Sequence, residues 1–316
     1  MIKRTLYFGN PAYLSLRRAQ LVIRVPDTGE PPDSLEPTFK ETTRPIEDLG
    51  VVVLDHRQIT ITQAALDALL QNQCAVVTCD ERHMPSGLFL PLEANSVQHE
   101  RWQAQIGASL PLKKQLWAQN MKAKILNQAT VLETCTGVPA ANLRRMAKDI
   151  RSGDPDNFEG HAAAYYWKNL FAPFPGSKHF LRDREGLPPN NLLNYGYAIL
   201  RAVIARALVG SGLLPTLGIH HHNRYNAYCL ADDMMESYRP FVDHLVFNLI
   251  EEKDVIDEDL KKEDKAALLS IPTLDVVISG KRSPLMVAAS QTTASLAACF
   301  SGETRTLVLP EFRAKT

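Results

Sequence analysis

Short runs rich in branched and aromatic residues mark positions 5–8, 13–16, 20–25 and 51–55. Gly9-Asn10-Pro11 and the Pro/Asp-rich segment 26–37 break them apart. Runs of this length between such breakers predict strands, and PDTGEPPDSLEP predicts a hairpin tip. Thr62 stands at the N-cap of a predicted helix over 63–71, a strand is expected over 75–79, and Pro85-Ser86-Gly87 reads as a turn. After a polar connection the pattern becomes helical. Leu112, Leu116, Met121, Ile125 and Leu132 keep near-helical spacing behind Pro111, which suits a first turn. Further helices are predicted over 140–150, from 158 after the turn 154–157, and over 191–209, where Gly210 and Gly212 stop the pattern. Asn190, Asn191 and Asn194 are polar on the first turn of that last helix, as DNA contacts or as caps, with capping the favoured reading.

From residue 228, Leu230, Met234, Tyr238 and Phe241 again recur at three and four residues, and the helix continues or restarts beyond Pro240 to 250. Alternating charges over 251–265 predict a solvated connection. A short strand over 273–278, a final helix from Pro284 to 299 and a flexible tail over 307–316, free to dock on a partner, complete the chain. The fold class expected is α+β: a small β-rich domain over 1–92, a linker over 93–106, and a larger all-α domain over 107–316 that carries the chemistry.

At 316 residues the chain can bury a large core, and 45% hydrophobic with 22% charged residues is ordinary for a soluble protein. With 35 basic and 35 acidic residues there is no bulk positive potential, so any nucleic-acid contact rests on local patches or on an assembly. Five scattered cysteines with no C-x-x-C spacing read as thiols of a reducing cytosol. No apolar run approaches the ~20 residues of a membrane span, and the N-terminus lacks a signal-peptide pattern. A cytoplasmic protein with no membrane partner is expected.

Candidate chemistry concentrates in residues 218–240, GIHHHNRYNAYCLADDMMESYRP, which hold three histidines and three carboxylates. On a helix, Asp233 and Glu236 are three apart and Asp232 and Glu236 four apart, so either pair shares a face with Cβ atoms roughly 5–6 Å apart. Two carboxylates and a loop imidazole suit Mg²⁺ or Mn²⁺ better than a thiolate-seeking metal. The same spacing also describes a surface helix with solvated acids, and both readings stay open. Glu159 heads an apolar helix, either as an acid favoured by the helix dipole or as a ligand. Arg144, Arg145, Lys148 and Arg151 cluster just ahead of it, either as a solvated basic face or as phosphate contacts; Lys281 and Arg282 are further candidates for phosphate. His56 and His83 are single loop histidines with no expected chemical role.

Gly218, His221, Leu230, Asp233, Met235, Glu236, Tyr238, Arg239 and Pro240 together resemble a signature of the CRISPR-associated adaptation integrase, the Cas protein numbered one. The segment Glu159-Gly160…Ala163…Tyr166-Trp167 is similar to its other signature. His221-x-Asn223-x-Tyr225-Asn226 resembles the branch that accompanies type II systems. The resemblance covers nearly the whole chain. It implies a metal-dependent DNA nuclease and integrase, with Glu159, His221 and Glu236 as ligands of Mg²⁺ or Mn²⁺ and Asp233 as a supporting catalytic carboxylate. In the implied reaction the 3′-hydroxyl of a prespacer attacks a phosphodiester at the edge of a CRISPR leader-repeat, and the reverse reaction cleaves branched DNA. It also implies a homodimer, assembled with the small second-numbered Cas protein into a heterohexamer, and cooperation with the type II effector nuclease. The β-rich front corresponds to the family's dimerisation and partner-contact domain.

The chain departs from the pattern in three places. Three consecutive histidines leave His220 and His222 open as participants, Asp232 adds an acid beside Asp233, and Ser237-Tyr238 stands where Pro-Phe is frequent. Two other functions compete: a non-catalytic DNA-binding scaffold of the same complex, and a metal-dependent phosphoesterase acting on small molecules.

Overall fold

The computed structural model describes residues 3–27, 39–174, 180–183, 186, 188–253 and 259–314. Most of the expected hairpin tip therefore lies outside the described residues. The chain divides into two compact units, Met1–Ala94 and Asn95–Thr316.

Unit 1 contains β1 (Arg4–Phe8), β2 (Ala12–Arg17), β3 (Gln20–Pro26), β4 (Phe39–Pro45), β5 (Leu49–Leu54), β6 (Ile59–Ile61), α1 (Gln63–Gln71), β7 (Ala75–Cys79) and β8 (Pro85–Phe89). One sheet has the order β1-β5-β7-β8 and the other β4-β3-β2-β6. Strand β5, LGVVVL, is an unbroken apolar run because both of its faces are buried, as a central parallel strand requires. Leu14, Ile23, Val52, Leu69 and Val76 bring both sheets and α1 into one core. Thr62 caps α1 through Ala65 N–H at 3.3 Å. The Pro85 segment, expected as a turn, is strand β8 paired antiparallel to β7; the turn lies just before it, where His83 takes φ 61. Asp55 accepts a hydrogen bond from Tyr7 Oη at 2.6 Å and holds His83 Nδ1 at 2.8 Å, so His83 has a structural partner.

Unit 2 contains α2 (Gln98–Ile106), α3 (Leu110–Thr136), α4 (Ala141–Asp149), α5 (Phe158–Leu170), α6 (Asn190–Gly210), α7 (Cys229–Met235), α8 (Arg239–Glu251), α9 (Lys262–Leu268), the hairpin β9 (Asp275–Ile278) and β10 (Lys281–Pro284), and α10 (Leu285–Phe300). The core helix α6 is long and apolar enough by composition to cross a membrane, but its side chains fill the centre of this unit, Tyr195, Ile199, Val203 and Leu208 among them.

Four expectations are corrected here. The linker 93–106 carries α2, which periodicity could not show because its anchor is a polar residue: buried Gln105 donates to the carbonyls of Leu214 and Leu217 and accepts from Leu214 N–H. Within the charged connection 251–265, α9 begins at Lys262 and buries Asp264, which pairs with Lys253. The tail is tied down as far as Phe312 rather than free. Leu307 N–H donates to Gln119, Val308 N–H to Ser295, Phe312 N–H to Asn127, and Glu311 bridges Val277. Asn190 and Asn194 do not cap α6; their side-chain oxygens accept from Arg182 at 2.9 and 2.7 Å and so hold the preceding segment.

Candidate functional site

The helix expected from residue 228, to continue or restart beyond Pro240, restarts slightly earlier. α7 ends at Met235, one 3₁₀ turn covers Glu236–Tyr238, and α8 restarts at Arg239 with Pro240 in its first turn, where the missing N–H costs nothing. The three neighbouring acids meet three different sets of partners.

Asp232 accepts from Arg201 Nε at 2.6 Å and from Asn226 Nδ2 at 2.7 Å, fastening the preceding loop to α6. Asp233 is completely buried and lies under the histidine loop. Its carboxylate accepts from the backbone N–H groups of Ile219, His220 and His221 at 2.7, 2.9 and 3.2 Å, and its Oδ1 lies 2.5 Å from His221 Nδ1. Gly218 is required for this arrangement: a Cβ there would stand 2.3 Å from His221 O and 2.8 Å from Asp233 Oδ2. The bond at Nδ1 leaves Nε2 as the ring atom that can act as a ligand. Hydrogen bonding to Asp233 outweighs burial and raises the His221 pKa. His220 lies flat against Trp117, with ring centroids 4.0 Å apart, and burial lowers its pKa.

Glu236 points the other way, toward α3. Helix α3 is anchored by Ser109, Pro111 and the left-handed Gly137 at its C-terminus. It carries a buried polar stripe, Asn120, Lys124 and Asn127, at four- and three-residue spacing. Asn120 donates to Asp233 O at 2.5 Å and Asn127 to Ser237 O at 2.9 Å, tying α3 to the backbone on either side of Glu236. Between them Lys124 Nζ lies 2.7 Å from Glu236 Oε2 and 2.5 Å from Glu159 Oε1.

Glu159 is delivered by the first turn of α5. There Asp154 accepts from Phe158 N–H and Glu159 N–H at 3.0 and 2.9 Å, and Asn157 enters the helix at φ 52. Arg239 Nη2 lies 3.1 Å from Glu236 Oε1 and rests over the Tyr197 ring. Burial alone would raise the Glu236 pKa, but Arg239 and Lys124 lower it; burial alone would lower the Lys124 pKa, but Glu236 and Glu159 raise it. Both side chains are therefore charged at neutral pH.

Two glutamates from different helices thus converge on one point, with the Asp233-held His221 close by. Among the described residues, no three His, Cys, Asp or Glu side chains are gathered closely enough to hold a metal as they stand, because an ammonium separates the two glutamates. The donor set nevertheless suits a hard divalent cation. Glu236 Oε2 is buried and, despite its ion pair, lacks a well-formed hydrogen bond, and the Lys124 ammonium shows that a cation fits between the carboxylates.

Of the expected phosphate contacts, Arg144 pairs with Glu133 at 2.5 Å and Arg151 makes a bidentate pair with Asp156 at 2.8–3.1 Å. Arg145, Lys148, Lys281 and Arg282 are exposed. Lys124, Asn120, Asn127 and Arg201 were missed as site residues. Polar residues at helical spacing among the apolar positions of α3 were the available signal for the first three.

A family model described as CRISPR associated protein Cas1 matches residues 6–280. The chain belongs to the Cas1 family. The chain is 40% identical over 253 residues to the CRISPR-associated endonuclease Cas1 of Neisseria meningitidis serogroup C, covering 80% of this chain and 77% of the relative. A casposase bound to integration product has a similar fold, with a TM-score of 0.76 and 21% identity over 97% of this chain and 92% of that one. A chain of a Cas6-RT-Cas1–Cas2 complex aligns at TM-score 0.71 and 21% identity, covering 98% of this chain and 36% of that one.

Proposed function

We propose that this Cas1 family member is a divalent-metal-dependent DNA integrase and nuclease of CRISPR adaptation. The observation that carries the reading is the convergence of Glu159 and Glu236 beside the Asp233-oriented His221. Glu159, Glu236 and Nε2 of His221 are the groups that would hold Mg²⁺ or Mn²⁺. Bound there, the ion supplies charge neutralisation at a phosphodiester and lowers the pKa of an attached water or hydroxyl.

The protein's own residues do the positioning. Asp233 keeps the His221 proton on Nδ1, Arg239 holds Glu236 ionised and oriented, and Asn120 and Asn127 set the turn that presents Glu236. The reaction that suits the site is exchange of phosphodiesters: a prespacer 3′-oxygen forms a new bond to phosphorus while the bond from that phosphorus to the repeat strand's 3′-oxygen breaks. One phosphodiester replaces another, so the exchange is nearly balanced and its reversal cleaves branched DNA.

Arg145, Lys148, Lys281 and Arg282 are proposed contacts to the DNA backbone, with Arg144 and Arg151 available only if they leave Glu133 and Asp156. A homodimer, a Cas2 partner and cooperation with a type II effector nuclease complete the proposal; the solved Cas6-RT-Cas1–Cas2 complex supports the second of these by analogy.

The deciding measurement is joining of a labelled prespacer to a repeat-containing plasmid with Mn²⁺ or Mg²⁺, for the native protein and Glu236→Ala, with and without Cas2. Metal-dependent joining that is lost in the variant is expected. One observation favours the scaffold reading, since Lys124 and Arg239 already neutralise both glutamates. DNA binding without joining by the native protein would select it.

A further inference from the structure

Lys124 is a lysine whose side chain is only 8% exposed, aimed from the middle of a core helix at two carboxylates that the function reserves for a cation. A buried ion pair is a weak source of stability, because desolvation consumes much of the Coulombic gain, and breaking one side of it is costly. An apolar residue on α3 would pack there without that expense, provided the two glutamates were absent. Given the glutamates, the lysine serves to hold their charge while no other cation does. We propose that Lys124 is a built-in, displaceable counter-cation of the metal site. Its ammonium separates Glu159 and Glu236 in the metal-free protein, gives way when a divalent ion enters, and then faces the DNA phosphate. This rests on the metal-dependent reading above.

The charges around the site make the exchange obligatory. Lys124 and Arg239 carry two positive charges against the two negative charges of Glu159 and Glu236, with His221 already committed to Asp233. A divalent ion added to these groups, with the Asp233 carboxylate beside a neutral His221, still leaves an excess of positive charge in a largely buried place, where uncompensated charge is expensive. Two responses relieve it: the ammonium leaves the carboxylates, and a negatively charged phosphodiester arrives.

The structure lets the first happen cheaply. Asn120 and Asn127, one turn to either side, fix the α3 backbone to the Asp233 and Ser237 carbonyls, so only the four-carbon stem of Lys124 has to swing. Arg239 is less free to leave, since its guanidinium is stacked over Tyr197. Metal and DNA phosphate are therefore expected to bind cooperatively, the site staying closed to metal until its substrate is present.

The test measures Mn²⁺ affinity by electron paramagnetic resonance of free Mn²⁺, using the full chain. In the absence of DNA, Lys124→Met is expected to bind Mn²⁺ more tightly than the native protein, by about tenfold or more. Lys124→Arg, which keeps the bridging cation, should stay near the native affinity. Equal or weaker Mn²⁺ binding by Lys124→Met would overturn the proposal, because a merely structural ion pair would hold the ligands in place and its loss would loosen them.

Removing the lysine leaves the buried Glu236 carboxylate facing the part-exposed one of Glu159, so Lys124→Met is checked for folding by circular dichroism. Should it fail to fold, the native protein provides the second measurement. A duplex with unreactive 3′-dideoxy ends should raise its Mn²⁺ affinity by about tenfold, and no rise would overturn the proposal. Failure of the functional reading looks different: neither native protein nor variant would then bind Mn²⁺, with or without DNA.

Discussion

The histidine loop and the lysine crossing lie against the same turn of chain and are built in opposite ways. Asp233 is wholly buried, yet every demand on it is met inside the protein, by three backbone N–H groups and one imidazole. Glu236, three residues on, is also buried, but its partners are two side-chain cations and one of its oxygens lacks a well-formed hydrogen bond. A carboxylate closed off by amides is a structural device; one closed off by an ammonium can be reopened. Two acids at helical spacing are thus not interchangeable, and the groups packed opposite each of them separate their fates.

The largest effect expected from this contrast is on chemistry at the open side. Glu159→Gln should lower strand joining by about 10³-fold, roughly 4 kcal/mol of barrier. Because Glu159 is about a third exposed, its stability cost should stay within about 1 kcal/mol. Normal joining by this variant would remove Glu159 from the site. Glu236→Ala is a less clean probe than spacing alone suggested: it leaves Lys124 and Arg239 with one carboxylate fewer in a buried place, and its loss of joining must be read beside a denaturation curve.

On the closed side, Asp233→Asn turns an all-acceptor group into one with an N–H₂ facing backbone donors. Leaving one or two buried amides unpaired should cost about 3 kcal/mol, read as a lower denaturant midpoint. A near-neutral result would mean that the loop does not depend on this carboxylate and that the contrast with Glu236 is false.

A third, smaller effect concerns Asp243, which accepts from Tyr166 Oη at 3.0 Å and from Tyr197 Oη beneath Arg239. Burial pushes its pKa up to about 7. A folded-state pKa above the unfolded value means that the native protein binds this proton more tightly, so its contribution to stability is present at acid pH and declines as pH rises through the acid range to about 7. His221, also raised, contributes in the same direction, its pair with Asp233 weakening as pH rises through the folded pKa. Urea titrations of native protein and Asp243→Asn across that range should diverge in slope below about pH 7 and run parallel above it. Parallel curves throughout would show that Asp243 is ionised over the whole range.

The smallest effect is at the surface. Arg145→Ala with Lys148→Ala should leave stability unchanged and reduce the salt slope of DNA binding by about 1–2. An unchanged slope would place the DNA elsewhere.

Much of this was legible beforehand, and the reasons are local. Thr62 as a cap, Pro111 as a first-turn residue and Gly210 as a stop act through the backbone within one turn, so they read directly from the chain. The acids and histidines of 218–240 and Glu159 stood out by residue type and order. Where the reading failed, the cause was polar residues used as interior fasteners. Gln105 anchors α2, Asn127 and Gln119 hold the tail, and Asn190 holds its neighbour segment, all outside any apolar period.

The chain's order of residues settles which side chains are available and which elements carry them, since propensity and capping are short-range properties. It does not settle which acid is closed off and which stays open. That depends on what packs opposite: Asp233 meets backbone N–H groups and Glu236 meets Lys124, contributed by a helix more than a hundred residues away. Whether a buried polar group finds an amide, an ammonium or an incoming ion is a matter of distances across the core, and those exist only once the helices are packed.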